Sequence, residues 1–261
     1  MKSRITVMLL EQTLDKLNAM KLYALAKSLK ERLERQDHQS LSKAEFIGLL
    51  VDDEWLYREN RKLSGRLKVA KFKDRAASIE AINYRTARGL RKDQLLELAQ
   101  NRWITAHQSV LITGPSGSGK SFVAQALAQH ACRSGFTAQY LRLPTLLNHF
   151  VQARAEGTYD RLLKRLSKLS VLVLDDFGLA AMSDREKQDL LEAIEERYGT
   201  GATVVTAQLP VSDWHECLGG GRVADAILDR IVHNAHRIDL RSEKSMRDEY
   251  STLNHGGHPV E

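Results

Sequence analysis

The chain has 261 residues, a formal net charge of +6 and two cysteines, Cys132 and Cys217, that lie far apart. Two distant cysteines exclude a disulfide framework and a cysteine-rich zinc site, and they favour a reduced compartment such as the cytoplasm. No run of about 18 apolar residues is present, so no membrane-spanning helix is expected, and the length allows one main domain and a smaller one.

The positive charge is concentrated in the amino-terminal part of the chain. Residues 1–75 carry 17 Lys and Arg against 11 Asp and Glu, whereas residues 108–261 carry 17 against 19. This distribution predicts a basic amino-terminal domain that binds a polyanion, followed by a domain with a different function.

The first third of the chain has the pattern of amphipathic helices. Leucines recur at three- to five-residue steps between charged residues, with a break expected near Met20. Ser42 and Glu45 have the spacing of a capping box and predict the start of another helix. We expect these helices to pack as a small bundle. The apolar face of the second segment is expected to comprise Phe46, Leu49, Leu50, Trp55 or Leu56, Leu63 and Leu67.

Eight cations crowd residues 58–75, opposed only by Glu59 and Asp74. Such a run is either a solvated helix face or a surface that binds nucleic-acid phosphates, and its coincidence with a nucleotide-binding motif favours the second interpretation. No zinc-finger ligand set, RNP-type aromatic motif or clear helix-turn-helix is present, so contacts with duplex DNA are expected to be mainly independent of base sequence. The candidate DNA-binding residues are Arg58, Arg61, Lys62, Arg66, Lys68, Lys71, Lys73 and Arg75.

From residue 108 the pattern changes, after a polar connector and a short helical stretch. Apolar runs alternate with helical stretches, which predicts a parallel sheet covered on both faces. The predicted strands are SVLIT, AQYLRL, SVLVLDD, ATVVTAQ and HRIDL. The predicted helices cover 121–133, 145–155, 158–169, 184–198 and 222–233.

The first of these strands runs into a phosphate-binding loop. GPSGSGKS matches GxxxxGK[ST] at every fixed position, and it follows a strand and opens a helix. The glycines let consecutive N–H groups point inward at the phosphates of a nucleotide, and the helix adds the positive end of its dipole. Lys120 is expected to bridge the phosphates and the Ser121 hydroxyl to bind Mg²⁺. The binding residues are Gly114, Pro115, Ser116, Gly117, Ser118, Gly119, Lys120 and Ser121.

A second acidic position follows the strand of SVLVLDDFG. Four apolar residues, Val171 to Leu174, predict a buried strand that delivers Asp175 beside the loop, because open parallel sheets bind ligands at the carboxyl ends of their strands. Asp175 is expected to hold Mg²⁺, and Asp176 to orient or deprotonate an attacking water.

An ordered set of stretches links these motifs: a helical amino-terminal region, then RWITAHQSVLITGPSGSGKS, VLVLDDFG, RYGTGATVVTAQLPVSDWHE and ADAILDRIVHNAHRIDLRSEKSMR. In this order the whole chain resembles the IstB-type transposition-helper ATPases, relatives of the DnaC helicase loader within the AAA+ class. The resemblance implies an α/β fold: a P-loop AAA+ core with a parallel sheet of strand order 5-1-4-3-2, flanked by helices and preceded by a small all-helical domain. It also implies ATP bound between neighbouring subunits and a role in assisting a DDE-type transposase at target DNA.

The resemblance carries further roles onto matching positions. Gln208 stands at the strand end where AAA+ proteins place a polar sensor, with Thr206 as the nearest alternative. Arg230 matches the arginine finger that reaches a neighbour's ATP, whereas without the resemblance it would be an exposed or salt-bridged helix residue. Arg247 resembles the second sensor arginine.

Two departures from the AAA+ pattern bear on activity. Most AAA+ proteins have Glu where Asp176 stands, and the shorter side chain implies slow turnover or dependence on DNA or a partner. Only 14 residues follow Arg247, so no full carboxy-terminal lid is expected. The expected domains are a helical basic domain for DNA or a partner (1–72), a linker with a short helix (73–107), the AAA+ ATPase (108–250) and a flexible tail (251–261).

The leading hypothesis is therefore an ATP-hydrolysing, DNA-binding helper of a transposase that forms homo-oligomers on target DNA with ATP and Mg²⁺. A replicative helicase loader would use the same ATPase with a helicase as its client. A P-loop small-molecule kinase would not need the basic helical front. A DNA-bridging protein that binds ATP without hydrolysing it is a further alternative.

Overall fold

The computed structural model of the protein describes residues 2–35, 41–84 and 89–241. The chain divides into two compact units, Met1–Gly65 and Arg66–Glu261. In the described ranges no helix is both long enough and apolar enough to span a bilayer.

The first unit is helical, as predicted. Helix α1 covers Lys2–Ala19, α2 covers Tyr23–Arg35, and α3 covers Lys43–Ala70 and so continues into the second unit. The break near Met20 is confirmed, because α1 ends at Ala19. The capping box is confirmed as well: the Ser42 N–H donates to Glu45 Oε2 over 2.8 Å, and the Glu45 N–H donates to Ser42 Oγ over 3.2 Å.

The prediction of the apolar face of α3 is wrong at the centre of the helix. Trp55 and Leu56 are 65% and 57% exposed, whereas the buried position is taken by Glu54. The Glu54 carboxylate accepts the backbone N–H groups of Ala24 and Leu25 at the start of α2, at 2.9 and 3.1 Å. A carboxylate that caps a neighbouring helix satisfies free N–H groups there and is favoured by the helix dipole, an effect that apolar periodicity does not register.

The second unit contains a five-stranded parallel sheet in the order β2-β3-β4-β1-β5, which confirms the expected order. The strands are β1 Ser109–Thr113, β2 Ala138–Arg142, β3 Val171–Phe177, β4 Ala202–Ala207 and β5 Ala235–Asp239. Strands β1 to β4 are almost entirely buried, as parallel strands covered on both faces are.

Helices connect the strands and cover the sheet. They are α4 Lys92–Leu98, α5 Arg102–Thr105, α6 Lys120–Arg133, α7 Leu143–Ala155, α8 Tyr159–Ser167, α9 Asp184–Glu195, α10 Trp214–Cys217 and α11 Gly221–Val232. Helices α7 to α11 share an apolar core with alternate strand residues such as Leu172 and Leu174. Helix α6 packs against β1 to β4 and lies outside that core. Trp214 is buried against the Phe177 ring, as expected of a core residue.

Arg197, just after α9, is a fully buried cation without a carboxylate partner among the described residues. Its guanidinium donates to the backbone carbonyls of Leu166, Leu169 and Ala202, and so ties the end of α8 and the residues before β3 to the start of β4. Burial lowers the pKa of Arg197 to about 10, so the side chain stays protonated at neutral pH.

Arg197→Met is expected to lower the free energy of unfolding by about 3–5 kcal/mol, because it leaves buried carbonyls without donors. Urea denaturation followed by circular dichroism measures this change. Arg133→Met, at an exposed position on α6, is the matched control and should change it by less than about 0.5 kcal/mol. Equal denaturation midpoints for the two variants would contradict the role of Arg197.

Candidate nucleotide-binding site

The predicted loop and the predicted acids meet at one edge of the sheet. Strand β1 ends at Thr113, just before the loop, and β3 carries Asp175 and Asp176 near its end. In the sheet, β4 lies between β1 and β3. The Ser121 hydroxyl, in the first turn of α6, donates to Asp175 Oδ1 over 2.8 Å across 54 residues of sequence. The sheet topology therefore assembles the constellation that the two motifs predicted.

The loop adopts a conformation that requires its glycines. Gly114, Gly117 and Gly119 have φ values of +143°, +79° and +91°, which side chains rarely tolerate. A Cβ at Gly114 would lie 2.3 Å from the carbonyl oxygen of Leu240, just after β5. The loop thus curls onto the end of the neighbouring strand, and α6 begins directly after it, where the positive end of the helix dipole favours an anion.

Lys120 provides the cation of the loop. It is 8% exposed, and its ammonium donates to the carbonyl of Pro115 over 2.8 Å. The side chain therefore folds back across the loop, where the ammonium and the backbone N–H groups could bind the same phosphate group.

Asp175 is buried and accepts hydrogen bonds from three hydroxyl groups. Ser121 and Thr206 donate to Oδ1, and Tyr140 of β2 donates to Oδ2. Burial and the hydrogen bond to Asp175 raise the pKa of Tyr140 far above its usual value, so the phenol remains a donor. These contacts orient the carboxylate from three sides, and the sequence analysis had not singled out Tyr140.

Asp176 lies beside it in a strained backbone conformation. Its φ of +63° is in the left-handed region, which Asp and Asn tolerate better than Glu. Its N–H donates to Thr206 Oγ1 over 3.3 Å, and its Oδ2 accepts from Arg142 Nε over 2.6 Å. This conformation gives a physical reason for Asp at a position where Glu was expected.

Arg142 is a second site residue that the sequence analysis missed. It ends β2 opposite Asp175 in the parallel ladder, so its position at a strand end was the available signal. The hydrogen bond to Asp176 is the main cause that raises the pKa of the Arg142 guanidinium. Arg142 thus places a fixed positive charge on the carboxylate proposed to act on water.

The structure separates the two sensor candidates of β4. Thr206 touches both acids, whereas Gln208 is exposed beyond the end of the strand. Arg230 on α11 pairs with Glu195 of α9, with 2.8 Å between Nη2 and Oε1, and donates to the carbonyl of Ala226 over 2.9 Å. Arg247 lies outside the described residues.

The eight candidate DNA-binding cations fall into two groups. Arg58 pairs with Glu54, Lys62 pairs with Glu59, and Arg66 donates to the carbonyl of Cys132, so these three make internal contacts. The other five are exposed, and they are Arg61, Lys68, Lys71, Lys73 and Arg75.

The residues present fit a magnesium nucleoside triphosphate. A hydroxyl and a carboxylate lie together at Ser121 and Asp175, and oxygen ligands are those that Mg²⁺ prefers. In the described ranges no group of three or more His, Cys, Asp or Glu side chains could hold a metal ion. Proteins hold Mg²⁺ through one or two carboxylates plus substrate phosphates rather than through a dedicated cage.

Comparison with known proteins gives concordant results. The model of the family described as IstB-like ATP binding protein matches residues 15–253. A Sinorhizobium fredii protein named as an insertion sequence ATP-binding protein is 46% identical over 93% of this chain and 98% of its own. A Pseudomonas fluorescens protein of insertion sequence IS1162, also named as ATP-binding, is 40% identical over 78% of this chain and 89% of its own.

Solved structures share the fold at low sequence identity. The DnaC helicase loader superposes with a TM-score of 0.54 at 19% identity, over 63% of this chain and 96% of its own. The replication initiator DnaA, bound to AMPPCP and single-stranded DNA, gives 0.54 at 15% identity, over 68% of this chain and 53% of its own. These two likenesses support the AAA+ fold.

Proposed function

This chain belongs to the family of IstB-like ATP binding proteins, and from that premise we propose that it is an ATP-hydrolysing, DNA-binding helper of a transposase. The observation that carries the proposal is the contact between Ser121 and Asp175, which brings together the chain neighbours Lys120, next to Ser121, and Asp176, next to Asp175. This contact supports one site that contains the phosphate-binding loop, two proposed magnesium ligands and a carboxylate proposed to act on the attacking water.

Each site residue has a distinct task in this proposal. The loop N–H groups and Lys120 bind the phosphates, and Ser121 and Asp175 hold Mg²⁺, which neutralises charge on the transferred phosphoryl group when bound. Tyr140 and Thr206 keep Asp175 oriented through their hydroxyl groups. Asp176 orients the attacking water and takes up its proton.

Arg230 completes the site from a neighbouring subunit in this proposal. An arginine that binds the phosphates of another protomer's ATP makes oligomer formation depend on the triphosphate. Side-by-side protomers would place their basic segments along one nucleic acid, so weak phosphate contacts add up. Hydrolysis would then release or remodel the assembly on target DNA.

The test is binding of a labelled duplex by the full chain in a salt series, with ATP and with ADP, beside light scattering of the same samples. We expect tighter DNA binding and a larger particle with ATP than with ADP, because differential affinity is needed to shift the assembly between states. Equal affinity and equal size with both nucleotides would overturn the nucleotide-dependent assembly.

Further measurements separate this function from its rivals. Lys120→Ala should remove the difference between ATP and ADP, because the variant lacks the loop cation. Phosphate release without added metabolite separates the ATPase from a small-molecule kinase, and multiple turnover separates it from a protein that only binds ATP. The client is tested directly by capture of the cognate transposase or of a replicative helicase.

Arg142→Ala is expected to raise the ATPase rate measured without DNA by about two- to fivefold. Arg142 and Asp176 form a partly exposed ion pair, and such pairs contribute up to about 1 kcal/mol. Loss of the pair frees one carboxylate oxygen of Asp176 to accept a hydrogen bond from the attacking water. Phosphate release at saturating ATP measures the effect, and Arg142→Lys, which keeps the charge, should give a smaller increase. A decrease in the rate with Arg142→Ala would show instead that Arg142 positions Asp176 for catalysis.

A further inference from the structure

Two glutamine side chains of α6 are buried outside the nucleotide-binding loop. Gln125 and Gln129 are each only 3% exposed, and they lie four residues apart, which places them on one side of the helix. A buried amide costs free energy unless its polar atoms are hydrogen-bonded. The partners of these two side chains therefore indicate what the pair does.

Both glutamines bind the backbone of the same residue, Asp74. Gln125 Oε1 accepts the Asp74 N–H over 2.9 Å, and Gln129 Nε2 donates to the Asp74 carbonyl oxygen over 2.7 Å. The N–H and the carbonyl of one residue are thus held by two side chains more than 50 residues away in the sequence. We call Gln125 and Gln129 the glutamine clamp.

The other side of the glutamine clamp reaches the nucleotide site. Gln125 Nε2 donates to the carbonyl oxygen of Ser121 over 3.1 Å. Ser121 is a proposed magnesium ligand, and its hydroxyl donates to Asp175. One side-chain amide therefore connects the backbone of Asp74 to the backbone of Ser121.

Asp74 lies among exposed cations of the candidate DNA-binding set. The side chains of Lys71, Lys73 and Arg75 are exposed on either side of it. Between the end of α3 and the start of α4, the described residues form no helix or strand. The backbone here has no helix or sheet partners, so the glutamine clamp supplies those of Asp74.

A second contact attaches the same stretch of chain to α6. Arg66 Nε donates to the carbonyl oxygen of Cys132 near the carboxyl end of the helix, over 2.9 Å. Ala77, just after the cations, is fully buried. Residues 66–77 are thus attached to the helix whose first turn carries Lys120 and Ser121, and they belong to the same compact unit.

These contacts give a physical route between the exposed cations and the nucleotide. Hydrogen bonds weaken steeply when their geometry is distorted, so Asp74 and the first turn of α6 cannot shift independently while the glutamine clamp is intact. A ligand that orders one end reduces the cost of ordering the other end, which produces positive cooperativity. Such coupling is reciprocal for the two ligands.

We propose that the glutamine clamp couples duplex DNA on Lys71, Lys73 and Arg75 to the nucleotide at Ser121, so that each ligand raises the affinity of the chain for the other. Gln125 and Gln129 are positioning residues in this inference. It rests on the proposed function and adds regulation of the nucleotide site within one protomer, separate from assembly.

The test measures the affinity of the full chain for a fluorescent ATP analogue with and without a saturating short duplex. All variants also carry Arg230→Ala, because that change removes the proposed contact between subunits and leaves the coupling within one chain. The clamp variant is Q125M/Q129M, in which Met keeps the length and the helix preference of Gln but lacks the amide.

The control variant is Gln108→Met. Gln108 also makes two side-chain hydrogen bonds, with Asn234 and His236, but it lies at the start of β1, away from the nucleotide-binding edge of the sheet. The duplex should raise the affinity for the ATP analogue by about fivefold or more in the control, the lower end of usual coupling, and by less than about twofold in the clamp variant.

Gln129→Met alone separates coupling from damage to the nucleotide site. Gln129 contacts Asp74 and makes no hydrogen bond to Ser121 among those described, so its loss should reduce the effect of the duplex without lowering the affinity measured in its absence. Damage to the site would instead lower both affinities and leave their ratio unchanged. This single variant also keeps the test decisive if the double variant has a lowered melting temperature.

Hydrogen exchange provides a readout that needs no DNA. ATP with Mg²⁺ should slow amide exchange in residues 71–77 of the control, because ordering of the first turn of α6 extends through the glutamine clamp. In the clamp variant the slowing should be confined to the loop and α6. Equal slowing of residues 71–77 in both proteins would overturn the inference.

The outcomes distinguish this inference from the function on which it rests. If the natural chain binds the ATP analogue but no duplex at low salt, the proposed function and the inference both fall. If it binds both ligands and the clamp variant keeps the full effect of the duplex, the inference alone falls.

Discussion

The Arg230→Ala variant is expected to hydrolyse ATP about 10³-fold more slowly than the natural chain, the lower end of the range for a lost arginine finger. Within one chain Arg230 pairs with Glu195, on the surface of the helices α9 and α11. If it reaches a neighbour's phosphates in the oligomer, its loss removes charge stabilisation in the transition state. The rate is measured by phosphate release at saturating ATP and a protein concentration that permits assembly.

Glu195→Gln is the matched control for this variant. It breaks the same ion pair but leaves the arginine in place, and a partly exposed pair of this kind contributes at most about 1 kcal/mol. We expect Glu195→Gln to change the rate by less than about fivefold. Similar small changes in both variants would mean that Arg230 only joins α11 to α9.

Asp176→Asn is expected to lower the rate by about 10²- to 10⁴-fold while ATP binding persists, because an amide cannot take up the proton of water. Asn is the suitable replacement, since it tolerates the left-handed backbone that Asp176 adopts. Titration of a fluorescent ATP analogue measures binding, and phosphate release measures turnover. A variant that turns over at the natural rate would show that another group activates the water.

A mixture of the two variants provides a stringent combined test. In an oligomer with shared sites, a subunit carrying Arg230→Ala still supplies Asp176, and a neighbour carrying Asp176→Asn still supplies Arg230. Mixing the two inactive proteins should therefore restore part of the activity. Absence of any recovery in a mixture that assembles would contradict the shared site and leave the role of Asp176 untouched.

The nucleotide loop could be predicted because its conformation is encoded locally. Eight consecutive residues contain the glycines for positive φ, the cation and the hydroxyl, and the strand before and the helix after them follow from short-range apolar patterns. The alternation of strands and helices likewise predicted a parallel sheet, and the carboxyl ends of its strands had to share one edge.

The contacts between site residues could not be predicted, because they depend on the register in which distant strands pair, and no local sequence pattern contains that register. Which side chain of β2 meets Asp175 is set by the pairing of two strands more than 30 residues apart, so Tyr140 and Arg142 were missed. The contact of Gly114 with Leu240 depends in the same way on where β5 ends. Thr206 rather than Gln208 touches the acids because it lies in β4 opposite the register shift of β3 between Leu174 and Phe177.

By itself the sequence determined the elements and the chemistry of the loop, since helix periods, caps and glycine turns are short-range properties of the backbone. Tertiary structure alone decided which charges are used internally and which remain for a ligand. Glu54 is buried and caps α2, and Arg58 pairs with it, whereas Arg61, Lys68, Lys71, Lys73 and Arg75 remain exposed. The physical reason is that charge pairing and burial depend on distances across the fold, whereas a sequence displays only distances along the chain.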